Sequence, residues 1–258
     1  MKSYIKTTIG ALFLFITIYS ATYASMWAMI VWWDSDSYGC IWSAWYSWSQ
    51  KLNQCVRPRE LYSMDVSYPT THNKKLDTTI KQYINKTQSA FISEAEDIIL
   101  EDTENNDTRN WKPELVIGYT IHNYDTGGII SIEFNTYEYL WWAHGMTTIK
   151  TINYNTITKQ IITLPQLLRK HKINLKTISH TIIPYFANKL WSGNVDSDWI
   201  KGWLSPILSN YKNFSINASG DNITSITFMF EQYQIASYAD GVQSVTLLYP
   251  SIKIQNNK

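Results

Sequence analysis

Glycine is scarce in this chain, and the short motifs with which many enzymes hold a reacting group are missing from it. Only 10 of the 258 residues are glycine, about half of what a typical usage of roughly 7% would give. The sequence contains no Gly-x-Ser-x-Gly elbow, no glycine-rich phosphate loop and no His-Glu-x-x-His zinc motif. It therefore carries no motif of a serine hydrolase, a nucleotide-binding enzyme or a zinc protease.

An excess of charge of one sign is also missing. The chain has 22 basic and 21 acidic residues, a formal net charge of +1, and its sequence shows no Arg/Lys cluster of the kind that nucleic acid requires. We therefore expect neither nucleic acid nor a strongly electrostatic membrane contact. Hydrophobic residues make up 45% and charged residues 17% of the chain, which is typical of a globular protein with a buried core.

The amino terminus has the order of features found in a secretory signal. Lys2 and Lys6 precede an apolar run at residues 8–18, and small residues follow at 20–25. The run is shorter than the roughly 20 residues that span a bilayer. This order predicts a signal peptide over residues 1–24 with cleavage after Ala24.

Retention of this segment as an uncleaved anchor is the alternative, because residues 26–31 are also fairly apolar. Such an anchor would be the only membrane contact that we expect. Removal of residues 1–24 would take away two lysines and no acid, and would change the net charge from +1 to −1. In both cases the sequence predicts an extracytoplasmic location, either secreted or associated with the cell envelope.

The two cysteines, Cys40 and Cys55, lie in one short segment outside the expected core. An oxidising compartment permits a disulfide between them. A bridge that closes a loop of about 15 residues would contribute roughly 3 kcal/mol of stability. Two free thiols are the alternative, and we favour the bridge because of this location.

Residues 25–60 are rich in tryptophan and resemble a small cysteine motif of secreted bacterial proteins. That motif is roughly Gly-Gly-Asp-x-Asp-x-His-Gly-Cys-Ile-Gly-Ser-Ala-Gly-Tyr-x-Trp-Cys and ends in Cys-x-Arg-Pro-Trp-Glu. Ser49 stands where the motif has cysteine, and Arg59 where it has tryptophan. Tryptophan replaces the glycine of the motif at four positions: Trp32, Trp33, Trp42 and Trp45.

These replacements suggest that several tryptophans are glycine in the native host. A Trp-Trp pair before Asp-Ser-Asp-Ser is an unusual turn, whereas glycine supplies positive φ angles without steric cost. Some bacteria translate UGA as glycine, so a standard translation would write tryptophan there. The alternative is a true tryptophan-rich patch that faces carbohydrate or membrane. Mass spectrometry of native protein distinguishes the two, and the hypothesis extends to Trp141 and Trp142.

Hydrophobic periodicity predicts an α+β fold with a mainly antiparallel sheet packed against two or three helices. Asp125-Thr126-Gly127-Gly128 is a strong hairpin signal, and Thr163 precedes Pro165 as a helix cap. The acidic stretch 101–107 lacks the EF-hand pattern and is predicted to be a solvated loop. The predicted helices span 74–100, a segment from 165, and 175–190. The predicted strands span 61–69, 115–124, 129–139, 148–154, 214–217, 223–230 and 242–249.

Residues 125–254 resemble a bacterial extracytoplasmic domain of unknown function. That domain occurs in the lysozyme-sensing anti-sigma factor RsiV and in PdaC-type peptidoglycan deacetylases, where a Gly-Gly-Ala-His-Gly turn follows a Tyr-rich strand. The matching landmarks here are Trp141-Trp142-Ala143-His144-Gly145, Asn153-Tyr154-Asn155, Ile162-Thr163-Leu164-Pro165-Gln166-Leu167, and residues 230–241. A weaker resemblance to the companion domain covers residues 61–124. The expected organisation is therefore a signal at 1–24, a cysteine motif at 25–60, and two domains at 61–124 and 125–258.

Among single side chains, His144 is the best candidate for a functional role. It could titrate near neutral pH or bind a ligand, or it could fix the 141–145 turn by hydrogen bonds to the backbone, which we favour. No acid or nucleophile lies at a recognisable spacing from it. We therefore predict no catalytic residue, no metal site and no cofactor. The predicted ligand-binding edge contains Tyr137, Tyr139, His144, Tyr233, Tyr238 and Asp240, although ordinary sheet packing would also account for the tyrosines.

These observations predict a non-catalytic binding module rather than an enzyme. The resemblance implies a lysozyme-like protein or cell-wall glycan (peptidoglycan) as partner. In the deacetylase relatives the catalytic part is a separate domain with metal-binding His and Asp motifs, and this sequence contains no such motifs. The alternative is an accessory protein of peptidoglycan deacetylation or hydrolysis.

Overall fold

A computed structural model describes residues 34–105, 110–140, 144–190, 197–220 and 222–255. The chain forms two compact units. The smaller unit holds the described residues up to Ser63 together with the described residues between 96 and 112. The larger unit holds residues 64–95 and the chain from Pro113 onward. No helix among the described residues is both long and apolar enough to cross a membrane, and the predicted signal at 1–24 lies outside them.

A disulfide between Cys40 and Cys55 organises the smaller unit and confirms the predicted bridge. The sulfur atoms are 2.06 Å apart and the two Cα atoms 5.5 Å apart. Cys55 lies on strand β2 (Gln54–Val56), which pairs antiparallel with β1 (Ser47–Ser49). Oδ1 of Asp36 accepts the backbone N–H groups of Tyr38 and Cys40, at 2.9 and 3.0 Å. The Asp-Ser-Asp-Ser segment is therefore a hydrogen-bonded turn that leads into the cystine.

Two helices follow in the chain. Helix α1 (Pro58–Leu61) is a single turn with proline in its first positions. Helix α2 (Lys74–Asn105) is 32 residues long and begins where Oδ1 of Asn73 accepts the N–H of Leu76 at 3.2 Å. Its buried side chains recur at helical spacing: they are Leu76, Ile80, Ile84, Phe91 and Ala95.

The predicted end of this helix at residue 100 is wrong, because the helix continues to Asn105. The stretch 101–105 was assigned to a loop on its acidity. A polar composition does not distinguish an exposed helix from a loop, since glutamate is itself a good helix former. Residues 106–107 of the predicted loop lie outside the described residues.

A five-stranded antiparallel sheet forms the first layer of the larger unit. Its strand order is β3-β4-β5-β6-β7, and the hairpin between β4 and β5 turns at Gly127 and Gly128, whose φ angles are +65° and +67°. One face packs under helix α2, where the Tyr83 hydroxyl lies 2.9 Å from that of Thr136. The strands are β3 (Ser63–Val66), β4 (Glu114–Thr126), β5 (Ile129–Tyr139), β6 (Met146–Asn155) and β7 (Gln160–Ile161).

A four-stranded antiparallel sheet in the order β11-β10-β9-β8 forms the second layer of the larger unit. Its strands are β8 (Phe214–Ser219), β9 (Asn222–Phe230), β10 (Gln243–Leu248) and β11 (Lys253–Ile254). Its helices are α3 (Leu164–Lys170), α4 (Leu175–Leu190), α5 (Ser197–Trp203) and a 3₁₀ turn, Leu208–Tyr211. Thr163 caps α3 in a capping box with Gln166, which confirms the predicted helix start. The α+β architecture is also confirmed.

The core of this second part is aliphatic and aromatic. Phe186 and Tyr211 are fully buried and pack edge-on against Phe230, with ring centroids 5.5 and 6.1 Å apart. Ile178 and Ile182 of α4 have no exposed surface. Burial of side chains of this size contributes about 1.5–3 kcal/mol each. The loop after β9 is therefore anchored to a rigid base.

The outer edge of β8 is covered by polar side chains from the first sheet. Asn153 donates from Nδ2 to the carbonyl oxygen of Phe214 at 2.7 Å. Thr151 and Ser131 accept the N–H groups of Phe214 and Ile216 through their hydroxyl oxygens, both at 3.0 Å. These groups are buried. The backbone groups on that edge of β8 thus find partners without another strand.

Candidate functional site

His144, Tyr233 and Tyr238 form an aromatic cluster, although His144 is separated from the two tyrosines by about ninety residues of sequence. The imidazole of His144 stacks on the ring of Tyr238 with centroids 3.8 Å apart and planes inclined by 27°. The Tyr233 hydroxyl lies 3.3 Å from Nε2 of His144. The centroids of the two tyrosine rings are 5.8 Å apart. Three predicted site residues are thus brought together.

The connection between β5 and β6 positions His144. Its Nδ1 lies 3.3 Å from the carbonyl oxygen of Gly145. Gly145 is buried against Tyr137, and a Cβ atom built at Gly145 would overlap the Tyr137 ring. Glycine is therefore required where the tyrosine covers the backbone.

The loop after β9 positions the two tyrosines. Gln232 accepts the backbone N–H of Thr147 on its Oε1 at 2.6 Å, which ties the loop to the start of β6. Tyr233 has a φ angle of +63° and is 43% exposed. A bulky residue rarely adopts this backbone region, and such strain is concentrated at functional sites.

The other predicted site residues have distinct roles. Burial raises the pKa of Tyr137, and nearby Tyr238 adds to that shift, so the two rings belong to one neighbourhood. Tyr139 lies two residues further along β5 and contributes to the same shift. Asp240 is exposed and accepts the N–H and the hydroxyl of Ser237, at 3.2 and 2.7 Å. Asp240 therefore holds the loop in a capping box at Tyr238–Asp240.

A groove continues from the cluster, and we call it the tryptophan groove. It encloses a cavity of about 450 Å³, and Tyr233 lines it together with Trp203, Asn210, Gln232 and Gln234. Two further lining residues, Lys212 and Glu231, form an ion pair with Nζ and Oε2 2.9 Å apart.

Helix α5 carries two exposed tryptophans, Trp199 and Trp203, beside this groove. Trp203 is 43% exposed and Trp199 is 48% exposed. The indole N–H of Trp199 donates to the carbonyl oxygen of Gln234 at 3.0 Å. Sequence reasoning missed both, although their spacing of four residues places them on one helical face and was a usable signal.

The chemistry of this surface is suited to stacking and hydrogen bonding. Exposed aromatic faces bind flat apolar surfaces, and the amide groups of Asn210 and Gln232 each donate and accept hydrogen bonds. Glu231 is held by Lys212 and by Nδ2 of Asn213 at 3.3 Å. Within the described part of the chain, no group of three or more His, Cys, Asp or Glu side chains could hold a metal ion.

The tryptophans that are hypothesised to be glycine in the native host differ in their backbone geometry. Trp45 has a φ angle of +64° and is 68% exposed, a backbone conformation that glycine adopts without steric cost. Trp42 is 61% exposed and is not among the residues with positive φ. Trp32, Trp33, Trp141 and Trp142 lie outside the described residues.

Two family models match different parts of this chain. The model described as deacetylase PdaC matches residues 56–147, and the model of a protein of unknown function (DUF3298) matches residues 165–249. The chain is therefore similar to PdaC in one region and to DUF3298 proteins in the next, which confirms the inferred resemblance to PdaC-type proteins and to a domain of unknown function. The predicted division at residues 124 and 125 falls within the first region, and the domain boundaries stay predictions.

A curated relative is similar over most of this chain. It is the peptidoglycan-N-acetylmuramic acid deacetylase PdaC of Bacillus subtilis (strain 168), which is 28% identical over 193 residues. The alignment covers 74% of this chain and 38% of that enzyme. The chain is thus related to a peptidoglycan deacetylase and matches well under half of the length of that relative.

Two crystal structures of DUF3298 family proteins are also similar. The protein from Bacteroides fragilis NCTC 9343 has 17% sequence identity and a TM-score of 0.44, with 70% of each chain covered. The protein from Pseudomonas aeruginosa PAO1 has 17% identity and a TM-score of 0.37, with 60% of this chain and 71% of that chain covered.

Proposed function

We propose that this chain is a non-catalytic, extracytoplasmic module that binds cell-wall glycan through the aromatic cluster and the tryptophan groove. The observation that carries the proposal is the continuity of the two surfaces, because Tyr233 belongs to both. Half-exposed aromatic rings beside amide side chains match the alternating apolar faces and polar edges of sugar rings.

The chemistry of the lining groups supports binding rather than catalysis. Glu231 already accepts contacts from Lys212 and Asn213, which holds it as a structural carboxylate. His144 contacts an aromatic ring, a phenol and a backbone carbonyl oxygen. None of these contacts is with a carboxylate or with an alcohol or thiol nucleophile, which supports a role in recognition.

Two other functions compete with this proposal. The match of residues 56–147 to the deacetylase PdaC model favours an accessory role in peptidoglycan deacetylation or hydrolysis. The resemblance to the lysozyme-sensing factor favours a lysozyme-like protein as partner. Both would use an exposed aromatic surface. The experiments must therefore test peptidoglycan binding, lysozyme binding and peptidoglycan deacetylation.

The first test is retention of the purified chain on insoluble peptidoglycan, with affinity measured calorimetrically on soluble glycan fragments. We expect Tyr233→Ala and Trp203→Ala each to weaken binding about tenfold, because each removes one stacking face. Tyr119→Ala is the matched control, since Tyr119 is 40% exposed and does not line the groove. Circular dichroism establishes that each variant is folded.

The outcomes separate the three functions. Full binding by both groove variants, or no retention of the unaltered chain, would remove the glycan proposal. Retention on immobilised lysozyme with none on peptidoglycan would favour the protein partner. Metal-dependent release of acetate from peptidoglycan by the purified chain would overturn the non-catalytic assignment.

A further inference from the structure

A basic concavity lies in the larger unit, away from the aromatic cluster. It consists of two adjoining hollows of about 680 and 400 Å³, which share His72, Lys74 and Thr78. Lys75 and Lys159 line the larger hollow, and Lys81 lines the smaller one. The sequence did not reveal this surface, because Lys159 is brought to the start of α2 only by the fold.

We propose that this basic concavity binds a soluble, phosphate-rich anionic polymer. All four lysines are exposed. No carboxylate among the described residues makes an ion pair with any of them. The potential of four uncompensated ammonium groups around one concave surface attracts and concentrates anions.

A single carboxylate faces these lysines in the smaller hollow. Asp77 lines it, and its Oδ1 accepts the N–H and the hydroxyl of Thr71 at 2.8 and 2.7 Å. Asp77 therefore fixes the preceding loop, and the concavity keeps a clear excess of positive charge. The chain as a whole has a net charge of only +1, so the excess is local.

The size and the lining groups favour a polymer over a single anion. The two hollows together far exceed the volume of one phosphate group. Two neutral side chains with hydrogen-bond donors, Asn73 and Gln82, also line the larger hollow. Ammonium groups are compact, strongly hydrated charges that contact phosphate without fixed geometry. The expected binding is consequently moderate, tolerant of polymer sequence and sensitive to salt.

The test uses fluorescence anisotropy of the full chain with labelled inorganic polyphosphate. We expect binding at about 50 mM salt and its loss at about 500 mM, because exposed charges are screened. The double variant Lys74→Gln and Lys75→Gln should weaken binding roughly 30-fold. The matched control is Lys176→Gln with Lys253→Gln, two exposed lysines outside the concavity, and it should bind like the unaltered chain.

A second set of binding measurements distinguishes a soluble polyphosphate from the phosphate headgroups of a lipid membrane. Vesicles of phosphatidylcholine with phosphatidylglycerol are offered at matched phosphate concentration. Binding to these vesicles without binding to polyphosphate would overturn the polymer assignment. Equal affinities of the two double variants, or binding that persists at high salt, would overturn the site. None of these residues lines the tryptophan groove, so this result is independent of the glycan experiment.

Discussion

Single residues with unusual backbone angles mark where this fold depends on side-chain identity. Trp45 lies in the left-handed region, where a residue with a Cβ atom is disfavoured by about 1–2 kcal/mol. The guanidinium of Arg59 lies over its ring, with Cζ 5.9 Å from the ring centroid. The position is therefore suited to glycine on geometry alone, whichever residue the native host inserts.

We expect Trp45→Gly to raise the free energy of unfolding by about 0.5–1 kcal/mol. Relief of the left-handed strain exceeds the entropy that glycine adds to the unfolded chain. Thermal and urea unfolding measure the change. Trp42→Gly is the matched control, because Trp42 is similarly exposed without a positive φ angle, and it should bring no gain. A loss of stability on Trp45→Gly would contradict this account of the position.

At the scale of elements, a contact between His122 and Glu133 joins β4 to β5 in the first sheet. Nε2 of His122 lies 2.6 Å from Oε2 of Glu133, and both side chains are largely buried. The hydrogen bond from His122, with a further one from Asn135 at 3.0 Å, lowers the pKa of Glu133 below its ordinary value of 4.5 against the opposing effect of burial. Because the folded-state pKa is the lower one, the ionised carboxylate of Glu133 stabilises the fold above about pH 4.5.

Acidification should remove this contribution as the pH falls from 4.5 through the lowered pKa of Glu133. We expect Glu133→Gln to lose about 1–2 kcal/mol of stability near pH 7 and to lose less than the unaltered chain on acidification. Urea unfolding at a series of pH values measures both. Parallel pH curves for the two proteins would show that Glu133 carries no such linkage.

Sequence patterning predicted elements well where one face is buried and poorly where it is not. The predictions of a helix at 175–190 and a strand at 129–139 are confirmed, because apolar residues recur at the helical period in the first and at alternate positions 130, 132 and 134 in the second. The exposed end of α2 at 101–105 gave no such signal. For the site, the sequence named His144, Tyr233 and Tyr238, but not the tryptophans of α5. Their use as a ligand site stays a prediction.

At the scale of the molecule, the polar cover on β8 joins the two sheets of the larger unit. Asn153 is 2% exposed, donates to Phe214 and accepts the Ser131 hydroxyl on its Oδ1 at 2.6 Å. Pairs of this kind depend on the fold, since the partners are separated by up to 85 residues. No local pattern in the sequence predicts such long-range hydrogen bonds.

Asn153→Ala should lower the free energy of unfolding by about 2–3 kcal/mol, because the buried carbonyl of Phe214 loses the Asn153 donor and the buried O–H of Ser131 loses its acceptor. Urea unfolding followed by circular dichroism measures this loss. Asn85→Ala, at an exposed position of α2, is the control and should change stability by less than about 0.5 kcal/mol. A loss below about 1 kcal/mol in Asn153→Ala would mean that water satisfies these groups.

The aromatic cluster also constrains how such a chain can evolve. His144 lies in the region that matches the PdaC model, whereas Tyr233 and Tyr238 lie in the DUF3298 region. Neither region alone contains the stacked rings. A recombination between residues 147 and 165 would separate the imidazole from its phenols, so a lineage that keeps this surface must inherit both regions as one unit.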